Sequence, residues 1–511
     1  MLLHQLFEAT ARRVPDKTAL VFDGVRHTYA QLDARANHLA ALLQQRGVQR
    51  GDRVAGFLDN GVEAVLCLYA TLKCGAVFMP VNPLTKRDKL AYLLNDSRAS
   101  ALVSHTVLQA ECVHALAQNG SVHTVMMAGT TAVTATEDTR QLPFPAADAP
   151  ALAPLALPPL IDQDLASIIY TSGSTGDPKG VMLTHLNMVS AARSVSQYLG
   201  LVDSDIVACV LPLAFDYGLY QVLMAFQTGA TIVLERSFAF PVKALEVLAR
   251  ERVTVFPGVP TIFSLLMQLK TLGEHPLPDL RLITNTAAAL SETHINALRG
   301  LFPQAQLFSM YGLTECKRVT FLPPEQLDIR PTSVGRGMPN EEVWLVDEAG
   351  QRLPNGSVGE LVIRGSNVMR GYWEKPHETA KRLKPGPIPG EFILHSGDIF
   401  RTDSEGYLYF VSRTDDVIKS RGEKVSPREV EDVLYSLEGV YEAAVIGVPD
   451  ALLGEAVKAF VSLRPGVSYS ERDVIRYCLS KLESFMAPKH VEFVASLPKT
   501  DTGKIKKTGL S

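Results

Sequence analysis

Short β-branched runs that alternate with helix-period segments constrain this chain more than any other feature. Residues 29–46 put Leu32, Ala36, Leu39, Leu42 and Leu43 at helical spacing, with Thr28 ahead of them as an N-cap. The runs at 53–58, 100–104 and 230–235 are short, apolar and strand-like. Strands interleaved with helices predict an α/β fold with largely parallel sheets. Beyond about residue 330, short strands at 343–346, 359–364 and 406–410, with a Pro354-Asn-Gly356 turn, predict a β-rich module packed on the α/β part. From 416, helices over 427–437 and 470–482 and strands over 443–446 and 457–463 predict a small α+β unit of about 95 residues. The expected division is a large N-terminal domain of two α/β lobes over 1–412, including the β-rich module, and a C-terminal domain over 416–511. We see no internal repeat.

Composition narrows the class. The 511 residues carry 50 Lys+Arg and 54 Asp+Glu, a formal charge of −4, with 46% hydrophobic and 20% charged residues. That balance is ordinary for a soluble enzyme, and no long basic run marks a nucleic-acid footprint. The most apolar stretch, 62–81, is interrupted by Glu63 and Lys73, so no membrane span is expected. Glu8 falls early in an N-terminus without an apolar run, which argues against a signal peptide. Cys67, Cys74, Cys112, Cys209, Cys316 and Cys478 lack CxxC spacing, so buried reduced thiols in a cytoplasmic enzyme are expected, and neither disulfides nor zinc. Cys316 stays open because of its neighbours. Six prolines within 141–160 predict a surface connection.

The sharpest chemical motif is Tyr170-Thr-Ser-Gly-Ser-Thr-Gly-Asp-Pro-Lys-Gly180. After a strand-like run, Thr171, Ser172, Ser174 and Thr175 supply hydroxyl donors, Gly173 and Gly176 free the backbone N–H groups, and Lys179 adds a positive charge. By composition this is a phosphate-cradling loop. It is no Walker A loop, since GxxxxGK[ST] is absent and Pro178 precedes the lysine.

This loop resembles the phosphate-binding signature of the AMP-forming adenylating enzymes, the superfamily of acyl-CoA synthetases, nonribosomal peptide adenylation domains and beetle luciferases. The resemblance runs over nearly the whole chain. Thr28-Tyr-Ala-Gln-Leu32, Leu72-Lys-Cys-Gly-Ala76, Tyr311-Gly-Leu-Thr-Glu315, His395-Ser-Gly-Asp398, Arg413-Thr-Asp-Asp416, Lys419-Ser-Arg-Gly-Glu-Lys424 and Pro498-Lys-Thr-Asp-Thr-Gly-Lys504 follow in the family's order. It implies ATP-dependent formation of an acyl-adenylate with release of pyrophosphate, followed by transfer of the acyl group to a thiol. Magnesium is implied as the partner of the phosphates.

The resemblance also implies roles. Thr171, Ser172, Gly173, Ser174, Thr175, Gly176 and Lys179 would meet the phosphates, with Gly312 and Thr314 near the α-phosphate and Glu315 near Mg²⁺. Tyr311 would stack on adenine, while Asp398 would hold the ribose diol and Arg413 make a second ribose contact. Lys504 would bridge carboxylate and α-phosphate, as an ammonium with a pKa of ~10.4 stays charged at neutral pH. The hinge of a mobile C-terminal domain would span 413–415 at Asp415, with Gly422 and Lys424 facing the thiol channel in a second pose. No carrier domain follows Lys504, so a stand-alone enzyme is expected.

For the acid, Leu211-Pro-Leu-Ala-Phe-Asp-Tyr-Gly-Leu-Tyr-Gln221 is the informative stretch. Many CoA ligases place histidine at the position of Asp216, whereas amino-acid adenylation domains place an aspartate that binds the α-ammonium. A buried carboxylate needs a cationic partner, either that ammonium or a lysine or arginine of the chain itself. Tyr217 and Tyr220 would shrink the pocket toward a small amino acid such as proline, with Thr286 and Met310 as further acid contacts. Lys317 and Arg318 either neutralise a second acidic group or fold outward. Three readings stand: a stand-alone amino-acid adenylation enzyme that loads phosphopantetheine on a separate carrier protein, an acyl-CoA synthetase using CoA, and a nucleotide-binding regulatory protein without turnover. The set Lys179, Glu315, Asp398, Asp415 and Lys504 disfavours the third, and Asp216 favours the first.

Overall fold

The computed structural model describes residues 1–129, 140–147, 159–171, 178–269, 271–286, 290, 292–414, 416, 418–420, 423–450, 454–482, 484–500, 505–507 and 509–511. Helix Tyr29–Gln45 shows how local sequence sets an element. Thr28 Oγ1 accepts the Gln31 N–H at 3.2 Å, and Gln31 Oε1 accepts the Thr28 N–H at 2.9 Å. This reciprocal capping box satisfies backbone donors that would otherwise lack partners.

Two large sheets form the N-terminal part. In the nine-stranded sheet, six strands run parallel in the order Gln306–Tyr311, Leu282–Asn285, Val255–Gly258, Ile206–Cys209, Thr231–Leu234 and Thr18–Phe22. Antiparallel strands close both edges. The eight-stranded sheet has a parallel core too, but its strand Leu165–Thr171 pairs antiparallel with Lys179–Thr184. Thr171 stands opposite Lys179, so the hydroxyl-rich loop joins two antiparallel strands and not a strand and a helix.

Buried helices between these sheets carry the core. Phe7, Tyr29, Tyr69 and Phe226, from four different helices, form an aromatic cluster with Phe7–Tyr69, Phe7–Phe226 and Tyr29–Phe226 centroid distances of 4.4, 5.2 and 5.4 Å. The Tyr29 hydroxyl donates to Ala230 O at 2.6 Å, which satisfies its polar tip inside the core. Phe226 belongs to helix Asp216–Thr228, so this cluster also sets the helix whose first residue is Asp216.

The β-rich module is a five-stranded antiparallel sheet containing Glu341–Val346, Val358–Gly365, Phe392–Thr402 and Leu408–Arg413. It is less separate than its texture suggests. Arg336–Gly337 joins the edge of the nine-stranded sheet, and Gly371–Tyr372 joins the edge of the eight-stranded one. The proline-rich connection also differs from expectation: Gln141–Pro143 pairs in parallel with Thr124–Ala128 as an edge strand, where proline's missing N–H is tolerated. The smaller C-terminal part has a sheet built on Val440–Asp450 and Gly454–Leu463, covered by helices Pro427–Ser436 and Glu471–Leu479. All six cysteines are free and buried; Cys316 is fully so, and burial pushes its thiol pKa far up, away from reactivity. Among the described residues, no helix is long and apolar enough to cross a membrane.

Phe226→Ala should destabilise the N-terminal part by about 3–5 kcal/mol, because it empties the centre of the aromatic cluster. Chemical denaturation followed by intrinsic fluorescence measures this, and a loss below about 1 kcal/mol would show that the cluster does not bind the helices together.

Candidate active site

The carboxyl end of the parallel strand Gln306–Tyr311 meets the β-rich sheet, and a polar seam forms there. Open α/β sheets place ligands at this end of their strands. Tyr311 closes its strand and donates its hydroxyl to Asp398 Oδ2 at 2.6 Å, while its ring packs edge-on against Phe400 at 4.8 Å. Asp398 lies directly opposite Arg413 in the pairing of Phe392–Thr402 with Leu408–Arg413. Arg413 Nε comes within 3.4 Å of Asp398 Oδ1, yet among the described residues that buried oxygen accepts no hydrogen bond. Burial pushes the Asp398 carboxyl above its ordinary range, opposed by the Tyr311 hydroxyl and by Arg413 and Arg382. Gly397 before it adopts φ 69°, a backbone conformation that glycine reaches freely. Thr414 donates both its N–H and its hydroxyl to Gly397 O at 2.9 Å, which anchors the chain immediately before Asp415.

Glu315 sits next along the seam. Its backbone carbonyl accepts the Met369 N–H at 2.7 Å, and its Oε1 accepts the Tyr372 hydroxyl at 2.7 Å. Tyr372 belongs to the edge strand paired with Lys179–Thr184, so it ties the two large sheets together at Glu315. Lys179 Nζ lies 5.7 Å from the Tyr372 ring centre and makes an ion pair with Glu378. The hydrogen bonds from Lys179 and Lys381 hold the Glu378 carboxyl down at about 2. Sequence reasoning missed Tyr372, Glu378 and Arg382. Their roles depend on which strands and helices meet, and no local pattern marks them.

The acid-pocket candidates gather at the start of helix Asp216–Thr228. Lys317 Nζ donates to Asp216 O at 2.8 Å and lies 3.4 Å from Asp216 Oδ2. The chain itself therefore supplies the cation that Asp216 requires. Burial pulls the Lys317 ammonium down to about 7, with Asp216 opposing and Arg318 assisting. Tyr217 donates its hydroxyl to Thr284 O at 2.9 Å, and Tyr220 is a core residue, 1% exposed. Met310 and Thr286 are buried nearby on the same sheet, and the Tyr198 hydroxyl reaches Met310 Sδ at 3.0 Å. The outward alternative for Lys317 and Arg318 fails, because both side chains are buried.

Several expected residues fall outside the described ones: Ser172, Gly173, Ser174, Thr175, Gly176, Asp415, Gly422 and Lys504. Gly312 and Thr314 lie half-buried between Tyr311 and Glu315. The seam thus aligns a lysine, a carboxylate with one oxygen engaged, and a buried carboxylate with an open oxygen. That order can receive phosphates at one end and a vicinal diol at the other.

Residues 7–373 match the AMP-binding enzyme family, and residues 429–504 match the AMP-binding enzyme C-terminal domain. The chain is 35% identical to feruloyl-CoA synthase of Amycolatopsis sp, covering 97% of this chain and 96% of that protein. It is 30% identical to tyrocidine synthase 1 of Brevibacillus parabrevis, over 99% of this chain and 44% of that longer protein. The crystal structure of an anthranilate CoA ligase in complex with anthranoyl-AMP superposes with a TM-score of 0.90 at 28% identity, covering 99% of this chain and 95% of that one. Fold and family together define an AMP-forming acid–thiol ligase. The chain belongs to the AMP-binding enzyme family.

Tyr311→Phe should weaken the apparent affinity for ATP about tenfold or more, the scale of a hydrogen bond to a charged group. The same change removes the hydroxyl that lowers the Asp398 pKa, so the protonated carboxyl persists to higher pH. The acid limb of kcat/KM for ATP should therefore move upward in pH. An unmoved limb would mean that Asp398 does not titrate in the nucleotide site.

Proposed function

We propose that this enzyme activates a compact carboxylic acid as its adenylate and passes the acyl group to the thiol of CoA. Asp216 carries the reading. Its carboxylate and carbonyl engage Lys317, so a cation of the chain stands where an amino acid's α-ammonium would otherwise be needed. This reverses the preference that Asp216 suggests when read alone. A CoA acceptor is supported by similarity to a feruloyl-CoA synthase and an anthranilate CoA ligase. The tyrocidine synthase likeness supports a second reading, transfer to phosphopantetheine on a separate carrier protein.

In the first step the acid's carboxylate oxygen attacks the α-phosphorus of ATP, and pyrophosphate leaves. In the second the thiol attacks the acyl carbon, and AMP leaves. Asp398, with its open Oδ1, receives the ribose diol, and Arg413 beside it makes the second contact. Tyr311, whose ring is oriented by its bond to Asp398, stacks on adenine. The loop from Thr171 through Ser172, Ser174 and Thr175 cradles the phosphates, with Thr314 at the α-phosphate. Lys179 exchanges its Glu378 partner for a phosphate, since a partly exposed ion pair gives way at little cost.

Mg²⁺ fits Glu315. The described residues hold no cluster of three or more His, Cys, Asp or Glu, and a cation that keeps phosphate oxygens and waters needs only such a single carboxylate. When bound it neutralises phosphate charge. Lys504 supplies the positive charge between carboxylate and α-phosphate, and Asp415 is the hinge next to the anchored Thr414.

Two measurements test the reading. Lys504→Ala should slow adenylate formation by ~10²–10³ while leaving thioester formation from a supplied acyl-adenylate largely intact. Equal loss in both half-reactions would remove Lys504 from the first step. Pyrophosphate exchange across free acids and amino acids, followed by CoA consumption, should favour simple acids and consume CoA. An amino acid activated best, or a carrier protein acylated where CoA is not, would restore the peptide-synthesis reading.

A further inference from the structure

The loop that carries Glu315 runs on into two cations, and both turn inward. Lys317 is 3% exposed and Arg318 is 1% exposed. Lys317 occupies the left-handed region at φ 69°, a costly conformation for a side-chain-bearing residue that persists only where the surroundings enforce it. A Cβ at Gly312 would stand 2.3 Å from the Lys317 carbonyl oxygen, so only glycine there lets the loop fold back this tightly. The Lys317 ammonium then lies 4.3 Å from the Tyr220 ring centre, and the Arg318 guanidinium 4.9 Å from that of Tyr217.

Counter-charge is short in this cluster. Asp216 engages Lys317. Among the described residues Arg318 has no ion pair, and its Nε and Nη1 have no hydrogen-bond partner. Glu341 shares the Asn367 amide with the Arg318 carbonyl, and among the described residues its side chain makes no ion pair with Arg318. Arg318 is thus a buried guanidinium with no carboxylate paired to it among the described residues. A buried guanidinium with open N–H groups is expensive unless something pairs with it.

Arg318 follows Glu315 by three residues in sequence, and its guanidinium lies over the Tyr217 ring, beside Lys317 and the start of helix Asp216–Thr228. We propose that Arg318, backed by Lys317, anchors a second carboxylate on the substrate, at the end of the acid opposite the carboxylate being activated. The planar guanidinium suits a carboxylate through two parallel N–H bonds. The substrate class is then a compact dicarboxylic acid. This inference rests on the acid-activating reading above and adds the identity of the far end of the acid.

Matched pairs of acids test it by pyrophosphate exchange, each dicarboxylic acid set against the acid of equal length ending in a methyl group. The wild type should favour the dicarboxylic member by roughly 10²-fold in kcat/KM, the scale on which a buried charge pair counts. Arg318→Met should collapse that ratio toward one, and Arg318→Lys should restore part of it by returning the charge without the fork. Loss of a buried charge to a side chain of similar volume is often tolerated, and the wild-type comparison needs no variant. A wild-type preference for the methyl-ended acids, or a ratio that Arg318→Met leaves intact, would overturn the inference while the acid-activating reading stood. Exchange with no free acid would overturn both.

Discussion

The hydrogen bond from Tyr311 to Asp398 is the junction on which the site depends. Tyr311 ends a parallel strand of the nine-stranded sheet, and Asp398 lies in the β-rich sheet, so this 2.6 Å contact joins the two sheets, alongside the backbone bonds of Leu408 with Val334 and Gly335. Arg413 is placed by strand register opposite Asp398, and Thr414 is anchored on Gly397. Tyr372 repeats the arrangement for the other large sheet by donating to Glu315. Charged and polar groups from three sheets are thereby brought together along one seam.

Electrostatics separate the two ends of the site. Along the seam Lys179 is held by the partly exposed Glu378, and among the described residues Asp398 keeps one oxygen unbonded. Around the start of helix Asp216–Thr228 the basic side chains are sealed in, with Lys317 tied to Asp216 and Arg318 against Tyr217.

Much of this was legible in the chain. The alternation of strands and helices indicated the α/β class, and Thr28 with Gln31 marked a helix start that the capping box realises. Asp398, Arg413, Tyr311 and Glu315 were all visible as motif residues, because each stands in a compact local pattern. Gln141–Pro143 was not legible as a strand, since proline-rich segments join sheets only at edges and the edge is a tertiary property. Tyr372, Glu378 and Arg382 were equally hidden, as each matters only through a partner more than fifteen residues away, or on another strand.

The amino-acid order by itself determined the fold class and the family, and it marked the motif residues proposed to meet a nucleotide, because all three depend on local periodicity and on short motifs. Only the tertiary structure decided which group Asp216 pairs with. Whether this partly buried carboxylate stands unpaired or holds a lysine 101 residues further along the chain depends on how helix Asp216–Thr228 packs against the loop after Tyr311. A charge pair is a fact of distance in space, and spacing along the chain does not encode it.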